Sequence, residues 1–68
     1  MLYENIKRIA RQKGVSIYRI EKDLDLSNGM ISKWSTSTPF VTNIRKVADY
    51  LNVPLEELMQ EENEKEVM

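Results

Sequence analysis

The chain has 68 residues and a net charge of −1, which allows one small domain near the lower size limit for a self-sufficient hydrophobic core. It contains no cysteine and no histidine, so disulfide bonds and the usual zinc-ligand sets are excluded. No run approaches the roughly 20 apolar residues of a membrane span, and the N-terminus lacks the apolar stretch of a signal peptide. We therefore expect a cytoplasmic protein that does not associate with membranes and needs no metal or other cofactor.

The charge is divided unevenly along the chain. Residues 1–59 contain nine Lys and Arg against seven Asp and Glu, whereas residues 60–68 contain four Glu against one Lys. This division predicts a mildly basic folded domain over residues 1–59 and an acidic, flexible tail over residues 60–68. The basic excess is modest for a domain that binds phosphates, so we expect moderate affinity for nucleic acid and two copies per site.

The first helix is predicted over about residues 2–13. Its apolar positions recur at helical spacing and form one stripe: Leu2, Ile6, Ile9 and Ala10. The basic residues of this segment lie largely outside the stripe, which predicts a solvated cationic face. Gly14 follows the basic last turn and is the expected C-terminal stop.

Two short helical patterns separated by a tight break follow. Ser16 is the expected N-cap of a second helix over about residues 16–24, and Ser27 opens a third over about residues 28–35. We expect Leu26 to plug the corner between them. Such a corner would present a small, polar and cationic face of the third helix, made of Asn28, Gly29, Ser32 and Lys33. A helix with this face fits the DNA major groove, which admits one α-helix and displays base-edge donors and acceptors. DNA binding is therefore the leading hypothesis.

The remaining chain predicts two more helices. A polar loop closes at Pro39, because proline disfavours a helical conformation in the residue before it. Thr42 is the expected N-cap of a fourth helix and Asn52 its stop, with a buried stripe of Ile44, Val47, Ala48 and Leu51. Pro54 fits the first turn of a fifth helix, in which the inward residues are Leu55, Leu58 and Met59. The sequence thus predicts an all-α fold, a compact bundle of five short helices.

Four segments in this order resemble the phage repressor/Cro family of helix-turn-helix proteins, also called XRE-like. They are IKRIARQKGVS before the second helix, LDLSNGMISKW through the break and the third helix, a proline-containing loop, and IRKVADYLNVPLEELM at the end. The resemblance covers about residues 4–59 and implies a lambda-repressor-like DNA-binding domain. In that family the third helix is the recognition helix, and the second crosses above it to touch the DNA backbone.

The resemblance also implies contacts residue by residue. The positions that face base edges are Asn28, Gly29, Ser32 and Lys33. The positions near phosphates are Ser16, Ile17, Tyr18, Ser27, Thr36, Ser37, Thr38, Thr42, Asn43 and Arg45. An asparagine amide can read adenine, and a lysine can read guanine or hold a phosphate. The alternative for the polar side chains is an ordinary solvated surface.

Several positions depart from the family's pattern. Glu21 stands where the family usually has a small alanine packed against the third helix. A carboxylate there must reach solvent or find a cation, because its burial otherwise costs several kcal/mol. Asp25 replaces the usual turn glycine and tolerates the left-handed conformation better than most residues. Ala10 and Ser35 replace an arginine–glutamate pair, so neither charge is left unpaired. Ile17 replaces a glutamine that binds phosphate.

Large hydrophobic side chains remain outside the predicted stripes. Trp34 is expected in the core, with stacking on nucleic acid as the alternative. Phe40 or Val41 is also expected to fill the core. The alternative is a dimer contact near the edge formed by the fourth and fifth helices.

The sequence favours a sequence-specific transcriptional regulator of the repressor/Cro kind. We expect it to bind a pseudo-palindromic double-stranded operator as a homodimer, with half-sites about one helical turn apart. It would act by promoter occlusion, without a small-molecule effector. The alternative is a protein-interaction module of the same fold, antitoxin-like or regulator-sequestering, which the low positive charge, Glu21 and the acidic tail favour. Enzymatic activity is not expected, because the chain lacks histidine, cysteine and paired carboxylates on an ordered apolar face.

Overall fold

The computed structural model describes residues 2–60, and every regular element in that range is helical. α1 spans Leu2–Lys13, α2 Ile17–Asp23, a 3₁₀-helix Ile31–Ser35, α3 Val41–Leu51 and α4 Leu55–Met59. The prediction of an all-α fold is confirmed. Within the described range, no helix is both long and apolar enough to cross a bilayer. The predicted flexible tail falls, apart from Gln60, on residues 61–68, outside the described residues.

Three helices end in the same way, with one left-handed residue followed by one apolar residue. The left-handed residues are Gly14 (φ 77°), Asp25 (φ 62°) and Asn52 (φ 61°). The backbone N–H of the next residue then donates back across the helix end, from Val15 to Ala10 (N···O 3.0 Å), from Leu26 to Glu21 (2.8 Å) and from Val53 to Ala48 (3.0 Å). This Schellman motif satisfies carbonyls that have no partner within the helix. It also places the three apolar residues against the core. The stops at Gly14 and Asn52 and the left-handed Asp25 are confirmed.

The hydrophobic core lies where α1 packs against the 3₁₀-helix, α3 and α4. Its buried members come from every helix of the described range: Ile6, Ile9, Ala10, Ile20, Ile31, Trp34, Ile44, Val47, Ala48, Leu51 and Leu58. Trp34 is buried, as predicted. Burying each large side chain of this set contributes about 1.5–3 kcal/mol, so these stripes hold the short helices together.

Asn5 is a buried polar residue of α1 that ties the start of the chain to α4. Its Nδ2 donates to the carbonyl oxygens of Leu58 (2.8 Å) and Gln60 (2.6 Å), and its Oδ1 accepts from Arg8 (3.2 Å). Both carbonyls lie at the C-terminal end of α4, where helix carbonyls lack intrahelical partners. One side chain therefore caps α4 and satisfies its own polar atoms.

The predicted starts of the last two helices are wrong by one or two residues. The Phe40 carbonyl accepts from the backbone N–H groups of Asn43 (3.0 Å) and Ile44 (3.3 Å). Phe40 is therefore the N-cap of α3, and Thr42 lies inside the helix. A side-chain cap contributes only about 1 kcal/mol, and additional helical hydrogen bonds replace it here. Pro54 likewise precedes α4 as its N-cap.

The sequence predicts that Phe40 or Val41 fills the core and that Met59 faces inward, but all three side chains are exposed. Phe40 is 79% exposed, Val41 57% and Met59 50%. Phe40 and Val41 precede the buried stripe of α3, which is already filled by Ile44, Val47, Ala48 and Leu51. Leu58 takes the buried position of α4, and the next residue is rotated by about 100° around the helix axis. The prediction that Phe40 or Val41 fills the core is therefore wrong, as is the inward placement of Met59.

Candidate nucleic-acid interface

The predicted recognition helix begins later than expected. Residues 28–30 form a turn, and the 3₁₀-helix begins at Ile31 and ends at Ser35. Gly29 has a φ of 87°, which a right-handed helix cannot accommodate. The predicted helix over residues 28–35 is therefore wrong at its start, and Asn28 and Gly29 lie in the turn that leads into it.

Glu21 occupies the inside of this corner. Its side chain is only 2% exposed, and its two carboxylate oxygens accept from the backbone N–H groups of Gly29 (3.0 Å) and Ile31 (2.9 Å). The sequence predicts that this carboxylate reaches solvent or a cation, and among the described residues it does neither. The two N–H groups supply the stabilisation instead, because hydrogen bonds to an ionised acceptor are stronger than neutral ones. Glu21 thus performs the capping role that the sequence suggested for Ser27.

The base-facing candidates lie around the two N–H groups that Glu21 binds. Asn28, Ser32 and Lys33 are exposed, and Gly29 is half-buried. The Ser32 hydroxyl donates to the Gly29 carbonyl (2.8 Å), so its lone pairs remain available to a donor. Lys33 forms no ion pair with any residue of the described range. The corner therefore presents an amide, a hydroxyl and an ammonium group within six consecutive residues.

The start of α2 carries three of the phosphate candidates. The Ser16 hydroxyl oxygen accepts from the Arg19 backbone N–H (3.0 Å), which confirms Ser16 as the N-cap. Tyr18 is exposed, whereas Ile17 is partly buried against the core. Their backbone N–H groups lie in the first helical turn, where such groups lack intrahelical acceptors. Ile17 can therefore contact a phosphate only through its backbone.

Tyr18 and Asn28 lie on the same side of the corner. They line one shallow groove of about 290 Å³ together with Glu21, Lys22, Asp25 and Leu26. The groove joins a phosphate candidate to a base candidate across the turn. Lys22 is a cation in this groove that the sequence analysis did not single out. Its place on α2 was known, but the groove forms only when α2 and residues 25–28 come together.

The loop after the 3₁₀-helix supplies exposed hydroxyl groups whose protons are partly engaged. Ser37 Oγ donates to the Lys33 carbonyl (3.0 Å), and Thr36 Oγ1 lies 3.4 Å from the same oxygen. These bonds lie at the end of the 3₁₀-helix, and both residues are exposed. Thr38 is also exposed. To donate to a phosphate, each of these two hydroxyl groups would first have to break its hydrogen bond to the Lys33 backbone carbonyl.

The remaining phosphate candidates lie at two other places on the surface. Ser27 is exposed in the corner, and its backbone carbonyl accepts from Met30 (3.0 Å). At the beginning of α3, Thr42 and Arg45 are exposed and Asn43 is half-buried. Each of these side chains can reach solvent, so a role for them at a DNA surface stays a prediction.

Two further cations lie beside the start of α2. Lys7 and Arg11 of α1 line a groove of about 420 Å³ with Ser16 and Ile17. The Lys7 ammonium also lies 5.1 Å from the centroid of the Tyr3 ring, a cation–π distance. Sequence reasoning treated both cations as a solvated face. The two cations are four residues apart, so they lie on the same face of α1. Because α1 ends at Gly14, just before Ser16, this spacing is the sequence signal that would have placed both near Ser16.

An exposed polar cluster joins α2 to α3. Asp23 Oδ2 accepts from Arg19 Nε at 3.1 Å and from the Tyr50 hydroxyl. The Tyr50 hydrogen bond, followed by the Arg19 hydrogen bond, lowers the pKa of Asp23 below its usual value. The same hydrogen bond to Asp23 raises the pKa of Tyr50. The cluster stabilises the orientation of α2, which carries Tyr18 and Glu21, relative to α3.

Within residues 2–60, no three Asp or Glu side chains are arranged to hold a metal ion. The exposed polar groups of the corner can form hydrogen bonds and cationic contacts.

Comparison with known proteins identifies one family. The family described as "Cro/C1-type HTH DNA-binding domain" matches residues 5–64, which is most of the chain. A search of the curated proteins and a search of the solved structures return no significant match.

Proposed function

Because the chain belongs to the Cro/C1-type helix-turn-helix DNA-binding domain family, we propose that it is a sequence-specific transcriptional regulator of the repressor kind. It reads the major groove with residues 28–35 and represses by occluding a promoter. The observation that carries this proposal is the exposed set of Asn28, Ser32 and Lys33 around a corner that buried contacts hold in place. Amide and ammonium groups are the side-chain donors that read adenine and guanine edges.

The proposed phosphate contacts flank residues 28–35, which we call the reading segment, on both sides. Ser16, Ile17 and Tyr18 lie at the start of α2, and Tyr18 shares a groove with Asn28. On the other side, Thr36, Ser37 and Thr38 are exposed directly after the 3₁₀-helix. Phosphate contacts fix the register of a protein on the duplex without reading sequence. Contacts on both sides would hold the reading segment against the base edges.

The proposed binding unit is a homodimer on a pseudo-palindromic operator. Residues 1–59 carry only a small basic excess, so one copy neutralises few phosphates and two copies would bind more tightly. Half-sites separated by one helical turn, about 34 Å, suit a two-fold dimer. The exposed Phe40 and Val41 support self-association, because they are adjacent in the chain and contiguous exposed apolar surface marks sites of protein–protein contact.

Selection from random DNA, followed by competition titration, tests the proposal. The full-length protein should select a two-half-site duplex and bind it at least about a thousandfold more tightly than random duplex at fixed salt. The mass of the complex should correspond to two chains per duplex. Equal affinity for selected and random duplexes would reject sequence-specific regulation.

One observation is also compatible with a second candidate function, a protein-interaction module of the same fold that is antitoxin-like or sequesters another regulator. Phe40 is 79% exposed next to the exposed Val41, which suits a partner of a different chain as well as a second copy. Glu21 no longer supports this alternative, because its carboxylate is buried on backbone N–H groups. A stable heteromeric complex, together with no retardation of any duplex at low salt, would select this function over the first.

A further inference from the structure

We infer that Glu21 is a positioning residue for DNA recognition. Its buried carboxylate sets the orientation in which Asn28, Ser32 and Lys33 meet the bases. The inference rests on the proposed function of this corner and adds the residue that controls its geometry. It concerns a position where the chain departs from the repressor/Cro pattern, in which a small alanine is usual.

The contacts of Glu21 span the whole corner. Its backbone carbonyl accepts from Leu26 N–H (2.8 Å), which closes the end of α2. Its carboxylate accepts from Gly29 (3.0 Å) and Ile31 (2.9 Å), which opens the 3₁₀-helix. A single residue of α2 therefore holds both ends of the segment 26–31.

The backbone of the turn is shaped to receive this carboxylate. Gly29 has a φ of 87°, and Met30, the next residue, has a φ of −62°. Residues of opposite handedness in succession turn neighbouring N–H groups towards one point, which makes a concavity for an anion. Here the anion is supplied from within the chain, and it is 2% exposed. Solvent therefore has little access to the carboxylate.

The side chains proposed to read bases flank the two N–H groups that Glu21 binds. Asn28 directly precedes Gly29, and Ser32 directly follows Ile31. A rotation of the peptide groups at 29 or 31 therefore moves the side chains next to them. Small displacements of this kind weaken recognition, because side chains that read bases must meet base-edge donors and acceptors in defined geometry.

A purely structural role for Glu21 makes a different prediction from a positioning role. If the carboxylate only stabilised the fold, its loss would lower the folded fraction and reduce binding to all duplexes equally. If it positions the reading segment, its loss reduces the preference for the selected duplex while binding to random duplex persists. Random-duplex binding depends on phosphate contacts, which carry no sequence information.

The substitution Glu21→Gln tests this difference in the full chain, with Glu57→Gln as the matched control. Both changes remove one negative charge and keep the side-chain size, but Glu57 is exposed on α4, away from the corner. In Glu21→Gln, an amide NH₂ replaces one acceptor oxygen and faces a backbone N–H. Thermal unfolding, competition titration with selected and random duplexes, and the ¹H–¹⁵N resonances of Gly29 and Ile31 are measured for each variant.

We expect Glu21→Gln to reduce the preference for the selected duplex by about tenfold or more, comparable to one mismatched base pair. Its affinity for random duplex should equal that of Glu57→Gln, and the Gly29 and Ile31 resonances should shift. An unchanged preference overturns the inference. A parallel fall in both affinities that follows the folded fraction overturns it too. If the wild-type protein itself shows no preference, the proposed function fails first, so the two failures are distinguishable.

If Glu21→Gln does not fold, amide hydrogen exchange in the wild-type protein replaces it. The amides of Gly29 and Ile31 should be protected in the free protein and remain protected when the selected duplex is bound. Exchange at the rate of an exposed amide in either state would contradict the inference, because the carboxylate would then not hold the corner.

Discussion

Lys33 is the cation of the reading segment. It is exposed in the 3₁₀-helix and has no ion-pair partner within the described range, so no ion pair with a described residue must break before it binds DNA. Its backbone carbonyl is held by N–H groups of Thr36 and Ser37. The backbone at this residue is therefore tied down while the side chain remains available.

Lys33→Ala should weaken binding to the selected duplex by about tenfold or more, because one good base contact is worth about 1–3 kcal/mol of discrimination. Competition titration at fixed salt measures the change. Lys46→Ala is the control, since Lys46 is an exposed cation of α3 outside the proposed interface. Equal losses in the two variants would mean that Lys33 contributes only general charge.

Gly29 and Gly14 offer a matched pair of backbone substitutions. Both have positive φ, at 87° and 77°, and a Cβ added at either would meet no atom within 4 Å. Alanine at each position should therefore destabilise the fold through backbone strain alone, by about 1–2 kcal/mol. Chemical denaturation measures this cost. Only Gly29→Ala should also reduce the preference for the selected duplex, since Gly14 lies outside the corner. Loss of preference in both variants would contradict a local role for Gly29.

At the scale of elements, an exposed polar cluster links α2 to α3. Asp23 lies at the end of α2 and receives hydrogen bonds from Arg19 of the same helix and Tyr50 of α3. A lowered carboxyl pKa means that the folded state binds the proton more weakly than the unfolded state. Asp23 therefore adds to the free energy of unfolding above its unfolded pKa of about 4. This added stability is lost as pH falls through the lower pKa of the folded state. The pKa of Tyr50 is raised, so Tyr50 adds to the free energy of unfolding below about pH 10. This added stability is lost as pH rises through the higher pKa of the folded state.

Tyr50→Phe should accordingly lower the stability of the fold at neutral pH and flatten its decline in acid, because Asp23 then loses its main hydrogen-bond donor. Urea unfolding between about pH 3 and pH 7 measures both effects. Tyr3→Phe is the control, since the Tyr3 ring keeps its contact with Lys7 without the hydroxyl. An acid decline that is equally steep in Tyr50→Phe and the wild type would exclude this cluster as its cause.

At the scale of the whole molecule, the apolar surface at the start of α3 has no covering partner among residues 2–60. Phe40 and Val41 are both exposed there, next to the candidate phosphate contacts Thr42 and Asn43. The core does not need them, because the stripe from Ile44 to Leu51 is complete. Self-association through this surface would account for their presence.

Phe40→Asp should therefore abolish the dimer without unfolding the chain, since an exposed position usually changes stability by less than about 0.5 kcal/mol. Sedimentation analysis gives the mass, and titration with the two-half-site duplex should show weaker binding. Gln12→Asp adds the same charge at an exposed position of α1 and is the control. A wild-type protein that is monomeric, both free and on DNA, would reject this dimer surface.

The positions of the helices were predictable because their signals are local. Gly14, Asp25 and Asn52 end helices through a left-handed backbone and a hydrogen bond that spans only five residues. Ser16 caps α2 through the N–H three residues later. The apolar stripes likewise repeat every three or four residues. Periodicity and end residues therefore determined the helix count, the all-α class and most of the core.

The start of the reading segment and the use of its polar groups were decided by contacts between distant residues. Glu21 meets N–H groups eight and ten residues away, and Asn5 meets carbonyls at the other end of the described range. The exposure of Phe40 follows from the core position of other α3 side chains, Ile44, Val47, Ala48 and Leu51. A sequence by itself specified which segments become helical, because that choice rests on neighbours along the chain. Only the tertiary structure decided which groups stabilise the corner. The hydrogen-bond donors of a buried carboxylate are the groups that helix packing places next to it, and these are distant in sequence.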